Sequence, residues 1–166
     1  MVINMRYRKA ELKDLEEILI MKNKVKERVI KENLPIWQNG YPLDEMIIED
    51  VKKNEGRVVE IDGEIVAYAC FHHRETEYPE KTFKYDNVQC FGRVMVKENY
   101  VGRKIGSFLV SSMIEEAKNL DVLGMGILAD ECNIKAVNLY KKHGFTKEGS
   151  KQFPYAYLDI FGLYFI

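Results

Sequence analysis

Cysteine and proline are scarce in this chain, with 3 and 4 in 166 residues. Cys70, Cys90 and Cys132 are odd in number, far apart and without a C-x-x-C pair. That excludes a disulfide framework and fits reduced thiols, which points to a cytoplasmic location. An excess of one charge is also missing: 25 basic residues stand against 26 acidic ones. A net charge of -1 gives no long-range attraction to a polyanion, so no nucleic-acid partner is expected. No uninterrupted apolar stretch approaches the length of about 20 residues that spans a bilayer. The opening segment "MVINMRYRKA" lacks the apolar core of a signal peptide, so no membrane partner is expected either. Histidine is rare, and the adjacent pair His72 and His73 would point to opposite faces of a strand. A shared metal is therefore not expected, nor is any structural metal.

What is present suits a folded enzyme-sized unit. Hydrophobic residues make up 46% and charged residues 31%, without low-complexity tracts, so residues 1–166 are expected to form a single domain. Leu12, Leu15, Ile18, Leu19, Val25 and Val29 recur at the spacing of one buried face of a first helix over 12–30. "LPIWQNGYP" interrupts that pattern, and Asp44 is placed to cap a second helix carrying Met46, Ile47 and Val51. "GRVVEIDGEIVAYACFHH" reads as two β-branched runs joined by Asp62-Gly63, a dipeptide suited to a tight hairpin. "QCFGRVMV" is a third strand. It leads through "NYVGRKIGSF" into a helix from about Gly106 to Leu120, with Ile105, Phe108, Leu109, Met113 and Ala117 on its buried face. "GMGILAD" is then a strand parallel to the third, and "NIKAVNLYKKHGF" is the last helix, ending at Gly144. The aromatic C-terminal segments ending in "IFGLYFI" complete the sheet. The expected class is α+β, a mixed and mostly antiparallel central sheet with flanking helices.

A strand running into a glycine-bearing loop and a helix N-terminus presents unpaired amides and a positive dipole end, which together favour phosphate. Gly102 and Gly106 fit that use, although two glycines near a helix start more often serve turn geometry, which the loop alone favours. The order of segments carries more. The loop is followed about thirty residues later by N-x-x-A-x-x-L-Y-x-x-x-G-F, matched in full by Asn133, Ala136, Leu139, Tyr140, Gly144 and Phe145. In both motifs, and in "RKAELKDL" and the Asp62-Gly63 hairpin, the chain resembles the GNAT superfamily of acetyl-CoA-dependent N-acetyltransferases. The superfamily's Q/R-x-x-G-x-G/A pattern falls on Val101, Gly102, Arg103, Lys104, Ile105 and Gly106, with Val101 in place of Gln or Arg and Lys104 in place of the middle glycine. "IWQNGYP" also looks like a segment of bacterial members.

The resemblance implies a GNAT-like acyl-CoA N-acyltransferase fold and acetyl-CoA as cosubstrate, with no metal. It implies that backbone amides from Val101 to Ser107 hold the pyrophosphate and that the strand residues Val94, Met95 and Val96 bind the acyl arm. It places Asn133 beside the pantetheine arm, and Tyr140 beside the sulfur as both a cofactor contact and the general acid. On spacing alone, Tyr140 reads foremost as a core tyrosine, and Asn133 can cap the helix as well as serve the cofactor. At Lys104, a negative φ would make the substitution harmless, whereas a required positive φ would cost roughly 1 kcal/mol or more. Trp37 and Tyr41 are candidates for the acceptor pocket, and Trp37 reads as readily as a packing anchor. An alkyl amine is about 0.1% neutral at pH 7, so something must take its proton; His72, His73, Glu60, Asp86 and water are all open. The acceptor is a small-molecule or peptide amine, and a homodimer is compatible with the sequence. The rival reading is a non-catalytic acyl-CoA-binding or sensing module with a degenerate cofactor loop.

Overall fold

The computed structural model describes residues 4–73 and 82–166. Among the described residues seven strands form one sheet in the order β1-β2-β3-β4-β5-β7-β6, with four α-helices. Two compact units are distinguished: Met1–Cys70 with Arg93–Leu109, and Phe71–Gly92 with Val110–Ile166. Among the described residues no helix is long and apolar enough to cross a membrane.

The first unit contains β1 (Met5–Lys9), α1 (Leu15–Lys31), α2 (Asp44–Lys52), β2 (Gly56–Ile61) and most of β3 (Glu64–His73). Its turn from β1 into α1 shows what "RKAELKDL" does physically. Arg8 grips both oxygens of Asp14 at 2.7 and 3.0 Å, and the same carboxylate accepts the Glu11 amide at 2.7 Å. One side chain therefore fixes the strand end and opens a short 3-10 turn, Leu12–Asp14, before α1 begins. Leu12 lies on that turn and is exposed rather than on the buried helical face expected from the spacing. Asp44 does not cap α2 either: Leu43 holds the cap position without a side-chain bond, and Asp44 instead pairs with Lys22 at 2.6 Å. The β2–β3 hairpin turns as expected, with φ of +49° at Asp62 and +83° at Gly63. Ile18, Met21, Val25 and Val29 of α1 pack with Ile47, Val51, Val58, Ile65 and Met95 as one apolar core.

The second unit is built on β5 (Gly124–Ala129). It lies parallel to the start of β4 (Val88–Val96) and antiparallel to β7 (Tyr157–Tyr164), which pairs in turn with β6 (Thr146–Gln152). Phe83 lies so close over Gly126 that an added Cβ would meet its ring at 2.3 Å, so a glycine is needed there to seat the ring. The β4–β5 ladder pairs Val88 with Gly124, Gln89 with Met125 and Cys90 with Gly126, and it stops there. Helix α3 (Ile105–Lys118) buries Ile105, Leu109, Met113 and Ala117 as expected, while Phe108 is only half-buried.

Candidate active site

In the first unit, β4 ends in Val94, Met95 and Val96, of which Met95 is buried and the other two half-buried. A 3-10 turn, Glu98–Tyr100, leads into the loop. Gly102 adopts φ +86° and Lys104 φ +64°, and the Phe108 amide then bonds the Lys104 carbonyl at 3.1 Å to start α3. The backbone therefore follows a path that is left-handed at two positions, only one of which is glycine. A lysine in that region costs about 1 kcal/mol relative to glycine. Nothing lies within 4 Å of a Cβ built on Gly102, so glycine serves the backbone angle there rather than space. Val101, Gly102, Arg103 and Lys104 are exposed just before the first turn of α3, the end at which a helix dipole is positive, while the Val101 N–H donates to the Glu98 carbonyl at 3.2 Å and the Arg103 N–H to that of Tyr100 at 3.3 Å. The approach to the loop is braced by Glu64, which accepts Lys97 Nζ at 2.5 Å and the Tyr100 hydroxyl at 2.8 Å. The Lys97 ammonium holds the Glu64 carboxyl below its ordinary range, and Arg103 stacks 5.1 Å over the Tyr100 ring.

The loop bearing Trp37 and Tyr41 belongs to the same unit. Trp37, at φ +53°, packs half-buried against the core beside Leu34 and Ile36, which fits its reading as an anchor. Lys26 donates to the Gly40 carbonyl at 2.8 Å, and the buried Lys22 donates to the Pro42 carbonyl at 3.1 Å. Tyr41 Oη accepts Arg93 Nη1 at 3.2 Å. Arg93 also binds Asp50 through Nε at 2.9 Å and Nη2 at 2.7 Å. The sequence reading missed this pair. Two signals were available: an arginine inside an apolar strand, and a carboxylate on the apolar face of α2 between Ile47 and Val51. Donor atoms of Asp50, Glu55 and Cys70 lie within 4.8 Å of one another, but the guanidinium already occupies both Asp50 oxygens and reaches Cys70 Sγ at 3.4 Å. In this cluster the Arg93 guanidinium, not a metal, faces Asp50 and Cys70.

In the second unit, α4 (Ile134–Lys142) carries Tyr140, which is 4% exposed and meets Phe91 and Phe145 edge-on at 5.5 and 6.2 Å. Burial pushes the Tyr140 phenol above the ordinary tyrosine range. The helix closes with Phe145 N–H on the Tyr140 carbonyl at 3.1 Å and Gly144 N–H on the Lys141 carbonyl at 3.0 Å. Gly144 at φ +97° makes this a Schellman end, the physical reason for a G-F pair four residues after the tyrosine. Asn133 stands at the N-cap without a side-chain capping bond, so the structure gives no support to its reading as a cap. Cys132 is half-buried and its thiol is pushed up to about 11, mainly by burial, which makes it a poor nucleophile at neutral pH.

The candidate bases differ in their surroundings. Glu60 is engaged by Arg6 at 3.3 Å and Arg8 at 3.1 Å. His72 is buried, His73 Nε2 lies 3.2 Å from Asn87 Oδ1, and Asp86 is exposed.

A sequence model of the acetyltransferase (GNAT) family matches residues 26–145. No curated protein matches the chain. Among solved structures, a GNAT-family acetyltransferase from Streptococcus agalactiae 2603 superposes with a TM-score of 0.82 at 19% identity, covering 99% of this chain and 98% of its own. An N-acetyltransferase from Staphylococcus aureus Mu50 gives 0.72 at 22% identity over 97% and 98%. A ribosomal-protein-alanine N-acetyltransferase from Brucella melitensis gives 0.68 at 23% identity over 95% and 96%. At these identities the likeness speaks for the fold.

Proposed function

The chain belongs to the GNAT acetyltransferase family and is an N-acetyltransferase, and on that premise we propose that it moves an acetyl group from acetyl-CoA directly to a primary amine, with Tyr140 as general acid. The observation that carries the reading is the loop after β4, whose backbone is left-handed at both Gly102 and Lys104, so that the lysine adopts an angle that suits glycine. The loop from Val101 to Ser107 would hold the pyrophosphate through amides other than those of Val101 and Arg103, which already donate to the Glu98 and Tyr100 carbonyls, with the Arg103 and Lys104 side chains adding positive charge. The backbone of Val94, Met95 and Val96 would pair with the acyl arm as an added strand does. Asn133, with no capping bond to make, would serve the pantetheine arm or a water. Trp37 and Tyr41 are proposed to face the acceptor.

In the reaction, the neutral amine attacks the thioester carbonyl, the carbon–sulfur bond breaks, and the departing sulfur takes the Tyr140 proton. The new ammonium gives its proton to water or to a base, and solvent reprotonates Tyr140. A phenol whose pKa is raised by burial stays protonated through the neutral range, as a donor must. The raised Cys132 thiol supports transfer without an acyl-enzyme. The family match runs through both compact units, which supports residues 1–166 as one N-acetyltransferase domain. Three free cysteines support a cytoplasmic location.

Calorimetry tests the cosubstrate assignment. Acetyl-CoA should bind, and binding should weaken with salt, because a polyanion meets helix-end amides and two cations; neither heat nor a rise in melting temperature at low salt would overturn it. The second reading, a binding or sensing module, is favoured by the strain at Lys104 and the exposed Val101. Thiol release from acetyl-CoA on mixing with a panel of amines separates the two, since a module binds without releasing thiol.

A further inference from the structure

We propose that Arg93 is a positioning residue: by holding the Tyr41 hydroxyl and the Asp50 carboxylate together, it fixes the Trp37–Tyr41 loop to strand β4 and thereby sets where the amine acceptor lies. The functional half of this inference rests on the acetyltransferase reading; the mechanical half does not.

The first support is a backbone outlier. Arg93 has φ +50° inside β4, a region that costs a non-glycine residue about 1 kcal/mol or more. Such a kink re-aims a strand side chain, as a bulge does. Here the re-aimed side chain is buried with all its reach spent on partners. Nε and Nη2 take the two Asp50 oxygens, Nη2 also lies 3.4 Å from Cys70 Sγ, and Nη1 is directed at Tyr41 Oη, 3.2 Å away. Tyr68 Oη donates to Asp50 Oδ2 at 2.7 Å and orients that carboxylate from the other side. Neutralising Asp50 needs only one guanidinium edge, the Nε and Nη2 donors. The bond to Tyr41 is left over from that task, and it is the one that reaches the loop.

The loop also needs holding. Trp37, Asn39 and Gly40 all have left-handed backbone, at +53°, +57° and +80°, so the segment has competing conformations open to it. Three consecutive residues are each gripped by a cation: Gly40 by Lys26, Tyr41 by Arg93 and Pro42 by Lys22. The lysines come from α1 and take backbone carbonyls. Arg93 takes a side chain and comes from β4, immediately before Val94, Met95 and Val96. It thus ties the proposed acceptor loop to the proposed acyl-binding strand. A lysine at 93 could not serve both partners, because only a planar fork offers donors along two edges at once.

The test compares Tyr41→Phe, Arg93→Lys and the double variant. Tyr41→Phe removes one bond without leaving a buried charge unpaired, so it stays informative if Arg93→Lys folds poorly. Acrylamide quenching of Trp37, the single tryptophan, reads the loop directly. Each single variant should raise quenching about twofold and acceptor KM about fivefold, the size of one ordinary lost hydrogen bond, with acetyl-CoA affinity unchanged. The double variant should be no worse than Arg93→Lys alone, since both changes remove the same bond. Unaltered quenching in both single variants would overturn the proposal. So would acceptor KM effects that multiply in the double variant, because Tyr41 would then act on the acceptor independently of Arg93. A parent protein that acetylates no amine overturns the acetyltransferase reading alone, and quenching then decides whether Arg93 holds the loop.

Discussion

The two compact units solve the problem of an interior with different chemistry. The first buries Asp14, Lys22, Asp50 and Arg57, each charged and each bonded, among its aliphatic side chains. The second also buries Asp159, but its packing rests on rings: Phe91, Tyr140 and Phe145 meet edge-to-face at 5.5 to 6.2 Å, and Phe83 closes over Gly126. Ring packing tolerates any pH and any salt. Paired charges hold a loop or a helix start at one orientation, but leave a costly orphan when one partner goes. The first unit therefore carries its loops on ion pairs, and the second seats its tyrosine among hydrocarbon, where a phenol keeps its proton.

The sharpest break in this contrast is Asp50→Ala. It strands the Arg93 guanidinium and the Tyr68 hydroxyl inside the first unit, and it should cost about 4 kcal/mol in urea unfolding. Phe145→Ala in the second unit should cost about 3 kcal/mol as a cavity, with no dependence on salt. A loss for Asp50→Ala no larger than that of an exposed ion pair would show that the buried pairs of the first unit are not what holds it.

Tyr140→Phe separates chemistry from packing in the ring cluster. It keeps the ring, so unfolding should change by less than about 1 kcal/mol, while single-turnover transfer at equal acetyl-CoA saturation falls about 10²-fold, roughly 2.7 kcal/mol. With the phenol raised by burial, the parental rate should climb from pH 7 to 9 as the acceptor loses its proton, with no fall from Tyr140 in that window. Transfer at the parental rate by Tyr140→Phe would leave the residue as a core tyrosine only.

Lys104→Gly addresses strain rather than pairing. Relieving a left-handed lysine should raise stability by about 1 kcal/mol and also flatten the salt dependence of acetyl-CoA binding by removing one cation. An unchanged melting temperature would mean the left-handed angle costs nothing there.

The smallest effect is expected in acid. Arg8 holds the Asp14 carboxyl below its ordinary range, so the unfolded chain binds that proton first. The stability contributed by the pair is complete above about pH 4 and is lost as pH falls further, through the folded value. Asp14→Asn should show a shallower decline in unfolding midpoint between pH 5 and 3 than the parent.

Much of this was legible in the chain. Periodicity located α1 and α3, β-branched and apolar runs located β2 to β5 but not β1, the Asp62-Gly63 pair located the hairpin, and the parallel step from β4 to β5 followed from a strand, loop, helix, strand order. What escaped were contacts between residues far apart in sequence. Asp44 looked like a cap because caps are local, yet its partner is Lys22 on another helix. Arg93 and Asp50 are 43 positions apart, and no periodicity announces that a strand will kink to join them. The sign of φ at Lys104 stayed open in the sequence, since a lysine itself favours no left-handed angle, and the backbone path decides for +64°.

One consequence concerns handling the protein rather than its catalysis. Cys70 and Cys90 are buried, and the Cys132 thiol, raised to about 11, is ionised in only about one molecule in 10⁴ at pH 7. Thiolate-selective reagents therefore find almost nothing to attack on the native surface. A single cysteine introduced at exposed Val101 would be the preferred target for a fluorophore, so the loop before α3 can carry a probe without first stripping the chain of its own thiols.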